Sequence, residues 1–326
     1  MKPFQIAVAV AALSLSSHGA IIARAADVFP NKPVRMIVAF PVAGATDILA
    51  RVLSQKMGEQ FGYQVIVDNR PGAGGTIGSR IAANAAPDGY TLVLGTTSTH
   101  AIGPHLYAKR PYEPLTDFTA VTQVATSPNV MMVASQVQAA TLKDLIALAK
   151  AQPGKLNYGS SGVGTQFHLS GELLKLLAGI NILHVPYKGT ALVYPDMISG
   201  QIQILFDVPV VALNFIKQGR VRALGISGKK RTPVLPEVPT IIEAGIPGYD
   251  ADLWFGLFAP AQLPQQRLAR VHAETVKALG AADVKERYAG LGADPIGNTP
   301  DAFSAFLKAE NAKWEKVVKA SGARAD

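Results

Sequence analysis

Three things are scarce in this chain of 326 residues: cysteine, aromatic side chains and long apolar runs. There is no cysteine, which excludes disulfides, thiol chemistry and cysteine-ligated metal sites. This absence suits an exported protein, although cytosolic proteins without cysteine also exist. Aromatic residues make up 7% of the chain and do not alternate with basic residues, so nucleic acid is not an expected partner.

Residues 1–25 predict a signal peptide. A basic start at Lys2 leads into an apolar segment, residues 6–15, and Ala23-Arg24-Ala25 follows as a small-residue cleavage signature. The apolar segment is about half of the roughly 20 residues that span a bilayer, and no later segment is long enough. We therefore expect an exported, soluble protein cleaved near Ala25. Its formal charge of +8 would fall to +6 without Lys2 and Arg24, a balance that favours anionic partners.

Strand-like and helical segments alternate along most of the chain. Apolar strand patterns cover residues 34–40, 64–68, 90–95, 129–134, 156–159, 182–187, 202–206, 221–227 and 253–259. Helical periodicity covers residues 46–60, 76–85, 142–151, 166–178, 191–199, 210–218 and the chain from 265 onward. This alternation predicts an α/β protein with parallel sheets covered on both faces. The strands are too many for one compact sheet, which predicts two α/β domains.

Small and hydroxyl side chains collect at the turns between strands and helices. AFPVAGATDILAR, residues 39–51, and NYGSSGVGTQFHLSGELL, residues 157–174, each pass from a strand through such a turn into a helix. The turn at residues 187–190 and the strand end at Thr96-Thr97 have the same character. Because a helix N-terminus presents unpaired N–H groups at the carboxyl end of a strand, these turns suit an anionic ligand. Glycine and hydroxyl residues also serve such turns for structural reasons alone, and that alternative stays open.

Two acidic residues lie beside these turns. Asp47 falls in the first turn of the first predicted helix, and Asp207 ends the strand pattern ILFD. An acid in a first helical turn stabilises the helix, but it repels an incoming anion unless it points away. Each carboxylate is therefore either a cap or brace for its turn, or an acceptor for a donor group of the ligand.

Motifs of known enzyme chemistry are absent or broken. The third glycine of G-x-G-x-x-G is displaced in the stretch 72–78, no P-loop lysine occurs, and G-x-S-x-G fails at Val163. Ser227-Gly228-Lys229-Lys230 fits S-x-x-K only by chance, and the spacing of His100 and His105 does not make a metal-ligand pair on a helix. His168 could face a cleft, but a lone histidine is more often structural. We expect no catalysis, no metal and no cofactor.

A string of motifs resembles one family. PVAGATDILAR, DNRPGAGGTIG, PDGYTLVLGTTSTH, LNYGSSGVGT, HVPYKGT, LPEVPTIIEAG and WFGLFAP occur in this order from about Phe29 to the last helix. The chain resembles the Bug family, the extracytoplasmic substrate-binding proteins of tripartite tricarboxylate transporters. The resemblance implies a type II periplasmic binding protein-like fold, in which two α/β domains are joined by two crossover strands with the ligand cleft between them. It implies a first domain at residues 27–125 and 253–326, and a second at residues 126–252.

The resemblance also implies a site for a small carboxylate, such as a di- or tricarboxylate, an acidic amino acid or an aromatic acid. The first domain would supply Phe40, Ala43, Gly44, Ala45, Thr46 and Asp47, with Thr96 and Thr97 beside them. The second domain would hold a carboxylate with Ser161, Gly162 and Thr165, and Asp207 would line the distal end of the pocket.

One position departs from the family pattern. The family turn usually reads P-P-G-G, whereas this chain has Pro41-Val42-Ala43-Gly44. If that position needs a positive φ, the side chain of Ala43 strains or reshapes the turn by roughly 1 kcal/mol.

The resulting hypothesis is a monomeric periplasmic receptor, not an enzyme, that closes on its ligand and delivers it to the large and small membrane subunits of a tripartite transporter. A ligand sensor for a signalling kinase would need the same closed cleft. An enzyme acting on a small organic acid is the remaining alternative.

Overall fold

The computed structural model describes residues 29–325, so the predicted signal peptide lies outside the described residues. In this range the strands are β1 (Val34–Val38), β2 (Val65–Asn69), β3 (Thr91–Thr96), β4 (Phe118–Ser127), β5 (Val130–Ala134), β6 (Asn157–Ser160), β7 (Leu183–Pro186), β8 (Ile204–Asp207), β9 (Val221–Ile226), β10 (Leu253–Pro260) and β11 (Asp294–Pro295). The α-helices are α1 (Ala45–Phe61), α2 (Thr76–Ala83), α3 (Leu142–Ala151), α4 (Gln166–Ala178), α5 (Val193–Ile198), α6 (Pro209–Lys217), α7 (Gln265–Gly280), α8 (Ala282–Gly290) and α9 (Pro300–Ser321).

The strands form two separate sheets, as the strand count predicts. The first sheet has the order β11-β4-β10-β3-β1-β2, and the second has the order β7-β6-β8-β5-β9. We call the first sheet with the helices packed on it the first lobe, and the second sheet with its helices the second lobe. The chain passes from the first lobe to the second between β4 and β5, and it returns along the segment that leads from β9 into β10.

The prediction of parallel sheets is correct for part of each sheet and wrong for the rest. β1 pairs in parallel with β2 and β3, and β6 pairs in parallel with β7 and β8. β10, however, is antiparallel to both β3 and β4, and β5 is antiparallel to both β8 and β9. The reason is the double crossing, because a chain that leaves a sheet along β4 and returns along β10 runs in the opposite direction.

Two strands and two helix breaks were not predicted. β4 follows a proline-studded stretch and mixes apolar residues with threonine and glutamine, so it lacks a clear apolar run. β11 is two residues long and interrupts the region predicted as continuous helix, which divides into α7, α8 and α9. No helix within residues 29–325 is long and apolar enough to cross a membrane.

The two helices that begin at the predicted site have similar ends. α1 buries Leu49, Val52, Leu53 and Met57 against the first sheet and ends at Gly62, which adopts a left-handed conformation with φ 71°. α4 buries its apolar face and ends at Gly179, with φ 61°. Glycine adopts this conformation without the steric cost of a Cβ atom, so it stops each helix at a defined residue. Both helices that begin at the predicted site thus have a well-defined C-terminus.

Candidate functional site

The turn after β1 is held in place by Asp47. Its carboxylate accepts hydrogen bonds from the Ala43 amide, Arg51 Nε and Asn69 Nδ2, each at 2.9 Å. Burial would raise the pKa of Asp47, but these hydrogen bonds and the charge of Arg51 outweigh it and lower the pKa below its ordinary value. The negative charge is thus compensated within the turn, and Asp47 acts as a brace.

Asn69 ties the same turn to the end of β2. Besides Asp47, its amide donates to the Phe40 carbonyl at 3.0 Å, and Arg51 Nη2 donates to Asn69 Oδ1 at 3.0 Å. The backbone at Ala43 has φ 67°, so the conformational cost foreseen for the missing glycine is present. For a residue with a Cβ atom, the left-handed region costs about 1–2 kcal/mol.

The turn after β6 is built from its own side chains. Ser160 Oγ accepts from the Gly162 amide at 3.0 Å, and Thr165 Oγ1 donates to the Gly162 carbonyl at 2.8 Å. The Gly164 amide donates to His168 Nδ1 at 3.1 Å. Gly162 and Gly164 have φ values of 130° and 76°, which residues with a side chain rarely adopt. This pattern fixes the direction in which the remaining amides point.

Two stacked histidines pack against this turn and form hydrogen bonds with it. The rings of His168 and His184 stack with centroids 3.8 Å apart, and Ser160 Oγ lies 2.6 Å from His184 Nε2. Burial lowers the pKa of His168 to about 4 and that of His184 to about 3, so both rings are neutral near pH 7. His168 therefore has a structural role, which was the more common of the two possibilities for a lone histidine.

The turns after β1 and β6 each lead into a helix that lacks a side-chain N-cap. The N-cap residues are Gly44 for α1 and Thr165 for α4, and neither helix has a side-chain hydrogen bond from its N-cap residue. Thr165 could cap α4, but its hydroxyl bonds to Gly162 instead. Among the described residues, the amides of Ser161 and Val163 have no hydrogen-bond partner. These amides lie in the turn that leads into α4, where the positive end of the helix dipole adds to their attraction for an anion.

The segment after β3 and the start of α4 bring the two lobes into contact. The Gln166 amide donates to Ser98 Oγ across the lobes at 3.2 Å. Thr96 and Thr97 are buried at the base of this contact: Thr96 bonds to Thr99, and Thr97 Oγ1 accepts from the Trp254 amide at 2.9 Å. A part for either threonine in ligand binding stays a prediction. The Thr97 hydroxyl accepts the Trp254 bond and keeps its own O–H as a donor.

Asp207 lies at the end of β8 beneath the turn that follows β7. It is 2% exposed, and it accepts from the Val208 amide at 2.8 Å and from the Tyr194 hydroxyl at 2.9 Å. Burial raises the pKa of Asp207 to about 6, although these bonds and one from Thr190 oppose the shift. Asp207 does not cap α6, because its backbone bond is to the adjacent residue.

The remaining predicted residues differ in their exposure. Gly44 is half-buried and Ala45 is exposed at the start of α1, whereas Thr46 is buried, and Ser161, Gly162 and Thr165 are half-buried on the other lobe. Val42, Val163 and Leu192 add exposed apolar side chains at 64%, 44% and 56%. The structure thus places amides and hydroxyls next to apolar surface at the carboxyl ends of β1, β6 and β7.

Four residues of this arrangement were not predicted: Arg51, Asn69, Ser98 and Gln166. The spacing between Asp47 and Arg51 places them on one helix face, and this could have indicated their ion pair. No comparable signal marks Ser98 or Gln166, because their contact joins elements that are distant in sequence.

Two α/β lobes joined by two crossings, with free amides on turns of both, define a two-lobed solute-binding protein. A family model described as tripartite tricarboxylate transporter family receptor matches residues 49–323. The chain belongs to this family. The predicted relation to the Bug proteins is confirmed by BugT of Bordetella pertussis, which is 35% identical over 317 residues and covers 97% of each chain.

Solved structures agree with the fold. R. palustris Rpa4515 with adipate has a TM-score of 0.81 and 35% identity, covering 91% of this chain and 99% of that one. The periplasmic binding protein BugD has a TM-score of 0.78 and 32% identity over 91% and 99% of the two chains. MatC of Rhodopseudomonas palustris with bound malate has a TM-score of 0.78 and 33% identity over 89% and 100%. These likenesses confirm the predicted fold class.

Proposed function

We propose that this chain is a periplasmic receptor that captures a small carboxylate by closing its two lobes on it. It passes the ligand, chemically unchanged, to the large and small membrane subunits of a tripartite tricarboxylate-type transporter. In this proposal the first domain is residues 27–125 and 253–326, and the second domain is residues 126–252. The separation of the two sheets supports this division, since β4 ends at Ser127 and β10 begins at Leu253.

The observation that carries the proposal is the pair of uncapped helix starts, α1 and α4, one on each lobe. A carboxylate between them could accept hydrogen bonds from the Ser161 and Val163 amides and from the first turn of α1. Asp47 does not oppose this ligand, because its charge is compensated by Arg51. The relatives Rpa4515 and MatC, whose structures hold adipate and malate, support the choice of a carboxylate.

Within this proposal, the predicted residues of the turns and Asp207 have the following parts. Gly44, Ala45 and Thr46 present amides from the first lobe, beside Phe40 and the strained Ala43. Ser161, Gly162 and Thr165 hold a carboxylate from the second lobe, where Thr165 also shapes the turn through its bond to Gly162. Asp207 lies at the distal end, where its Tyr194 and Thr190 partners fix it.

The test is to replace Thr165 by leucine. A bulky apolar side chain at the start of α4 would fill the carboxylate position and remove the bond that orders Gly162. We expect carboxylate affinity, measured by calorimetry, to fall by at least about tenfold, the loss of one charge-assisted interaction. Thr116→Leu is the matched control, because Thr116 is exposed in the turn before β4, at the opposite end of the first sheet. Unchanged affinity in a folded Thr165→Leu protein would contradict the proposed site.

A further inference from the structure

A cavity of about 380 Å³ lies between the lobes, beside the turn that follows β6. The first lobe lines it with Thr76, Leu106, Tyr107 and Arg324, and the second lobe lines it with Val163 and Gly164. None of these six residues belongs to the carboxylate site predicted from the sequence. Because both lobes contribute walls, the shape of this cavity depends on how far the lobes close.

The glycine-rich loop after β2 forms part of the cavity wall. Residues Gly72, Ala73, Gly74 and Gly75 all have positive φ, at 128°, 47°, 64° and 94°. Glycine adopts positive φ without steric cost, so the strain in this loop lies at Ala73, the one residue of the four with a Cβ atom. The Tyr107 hydroxyl donates to the Ala73 carbonyl at 3.3 Å, and Thr76 Oγ1 donates to the Tyr107 hydroxyl at 3.4 Å. The loop therefore holds two hydroxyl groups at the cavity, both in long bonds that a better acceptor can replace.

Arg324 supplies positive charge to the same cavity. The chain beside it is fixed, because the Ala325 amide donates to the Leu106 carbonyl at 3.1 Å. Within residues 29–325, Arg324 has no acidic partner, whereas Arg35, Arg51 and Arg70 each pair with an aspartate. A guanidinium without a partner at a cavity wall is suited to a carboxylate, which it binds through two parallel hydrogen bonds.

The rest of the cavity wall is apolar and adjoins the proposed carboxylate site. Leu106 and Val163 face the cavity from opposite lobes, and Ala73 lies beside them. Gly162, in the turn of the proposed carboxylate site, is two residues from Gly164 at the cavity, so the two positions are at most about 7 Å apart along the chain. An aliphatic chain of a few carbons could pass Val163 from one position to the other.

We propose that this cavity is a second subsite, in which Arg324 binds the far carboxylate of an elongated dicarboxylate. The near carboxylate occupies the turn after β6, and the methylene chain lies against Val163 and Leu106. This inference rests on the proposed function and adds to it a ligand class, linear aliphatic dicarboxylates. Arg324 is in this view a specificity-determining residue, and it acts only on ligands that carry a second acid.

The experiment compares Arg324→Gln with the unmodified protein by calorimetry, against linear dicarboxylates of increasing chain length and the monocarboxylates of matched length. We expect the affinity for the best dicarboxylate to fall by about tenfold or more, which is the effect of losing a charged hydrogen-bond pair. The affinity for monocarboxylates should stay the same. Arg220→Gln is the matched control, because it removes the same charge from an exposed position outside the cavity.

Each other outcome overturns the subsite. Equal losses for mono- and dicarboxylates would assign Arg324 to general attraction of anions, and an equal effect of Arg220→Gln would do the same. No change for any ligand would show that the far carboxylate does not reach Arg324. If no carboxylate binds to the unmodified protein, the proposed function itself fails, which is a distinct result. Tyr107→Phe gives a second measurement, with a several-fold loss expected for dicarboxylates alone.

Discussion

Ala43 adopts a strained backbone conformation in the turn after β1. Its backbone is left-handed with φ 67°, and its amide donates to Asp47 while Asn69 holds the neighbouring Phe40 carbonyl. The hydrogen bonds of one buried carboxylate therefore maintain a conformation that alanine does not favour. Such bonds to a charged group contribute about 1.5–3 kcal/mol each, enough to offset the strain.

Ala43→Gly tests this strain. Glycine removes the cost of the left-handed conformation but gains freedom in the unfolded chain, so we expect the free energy of unfolding to rise by about 0.5–1 kcal/mol. Ala45→Gly, two residues later in the first turn of α1, has no such strain to relieve and should lower it by a similar amount. Urea unfolding measures both variants. A loss of stability in Ala43→Gly as large as in Ala45→Gly would contradict the interpretation.

Asp207 makes stability depend on pH. Its folded pKa of about 6 lies above the ordinary value of 3.8, so the folded state binds this proton more tightly than the unfolded state. The stabilising contribution of the carboxyl group is therefore complete below about pH 4 and is lost as the pH rises through about 6. For a shift of this size the loss is roughly 3 kcal/mol.

Asp207→Asn should remove this dependence. We expect the difference in unfolding free energy between the variant and the unmodified protein to change in favour of the variant as the pH rises from about 4 to about 7. Asp252, whose pKa burial also raises to about 6, is present in both proteins and cancels in the comparison. A difference that stays constant over this range would show that Asp207 titrates normally.

At the scale of elements, α4 connects the turn after β6 to both crossings. The backbone amide of its first residue, Gln166, donates to Ser98 Oγ. The side-chain Nε2 of Gln166 donates to the Ala251 carbonyl at 2.7 Å. Asn129 Nδ2 donates to the same carbonyl at 2.9 Å from the other crossing. The side-chain oxygens of Gln166 and Asn129 are buried and have no partner in the described structure. The helix that starts at the proposed carboxylate site is thus tied directly to the segments about which the lobes would rotate.

Gln166→Leu should weaken this link without altering the turn. The loss of one buried hydrogen bond, about 1 kcal/mol, corresponds to roughly a fivefold loss in affinity if the bond stabilises the closed form. Tryptophan fluorescence can follow closure, because the two tryptophans of the chain, Trp254 and Trp314, are buried at the crossing and both donate to Glu310. Gln152→Leu, exposed at the end of α3, is the control. Unchanged affinity and kinetics in Gln166→Leu would separate α4 from closure.

The sequence predicted the elements well where one pattern dominates. α3 and α4 were predicted at residues 142–151 and 166–178, their observed bounds, because their apolar periodicity is regular. β4 was missed since its side chains alternate poorly, and the antiparallel direction of β5 and β10 depends on the crossings rather than on local pattern. In the site, the turns were predicted from small residues, whereas the contact of Ser98 with Gln166 depends on tertiary structure alone.

At the scale of the whole molecule, the described structure has the parts that a closing receptor needs. Two lobes carry free amides on turns at the carboxyl ends of their strands, and two crossings connect them beside a buried aromatic group that includes Trp254 and Phe258. A basic balance of charge favours an anionic ligand in both the full chain and the predicted mature one. We therefore expect capture of a carboxylate between the lobes, with no change to the ligand.

The most direct measurement is a calorimetric titration of the exported form, refolded to remove any ligand carried through purification. The panel contains mono-, di- and tricarboxylates, acidic amino acids and aromatic acids, and the ligand is recovered afterwards and analysed. We expect saturable binding of at least one carboxylate, recovered unchanged, with the tightest binding among linear dicarboxylates. Failure of every acid to bind, or recovery of a converted product, would contradict this expectation.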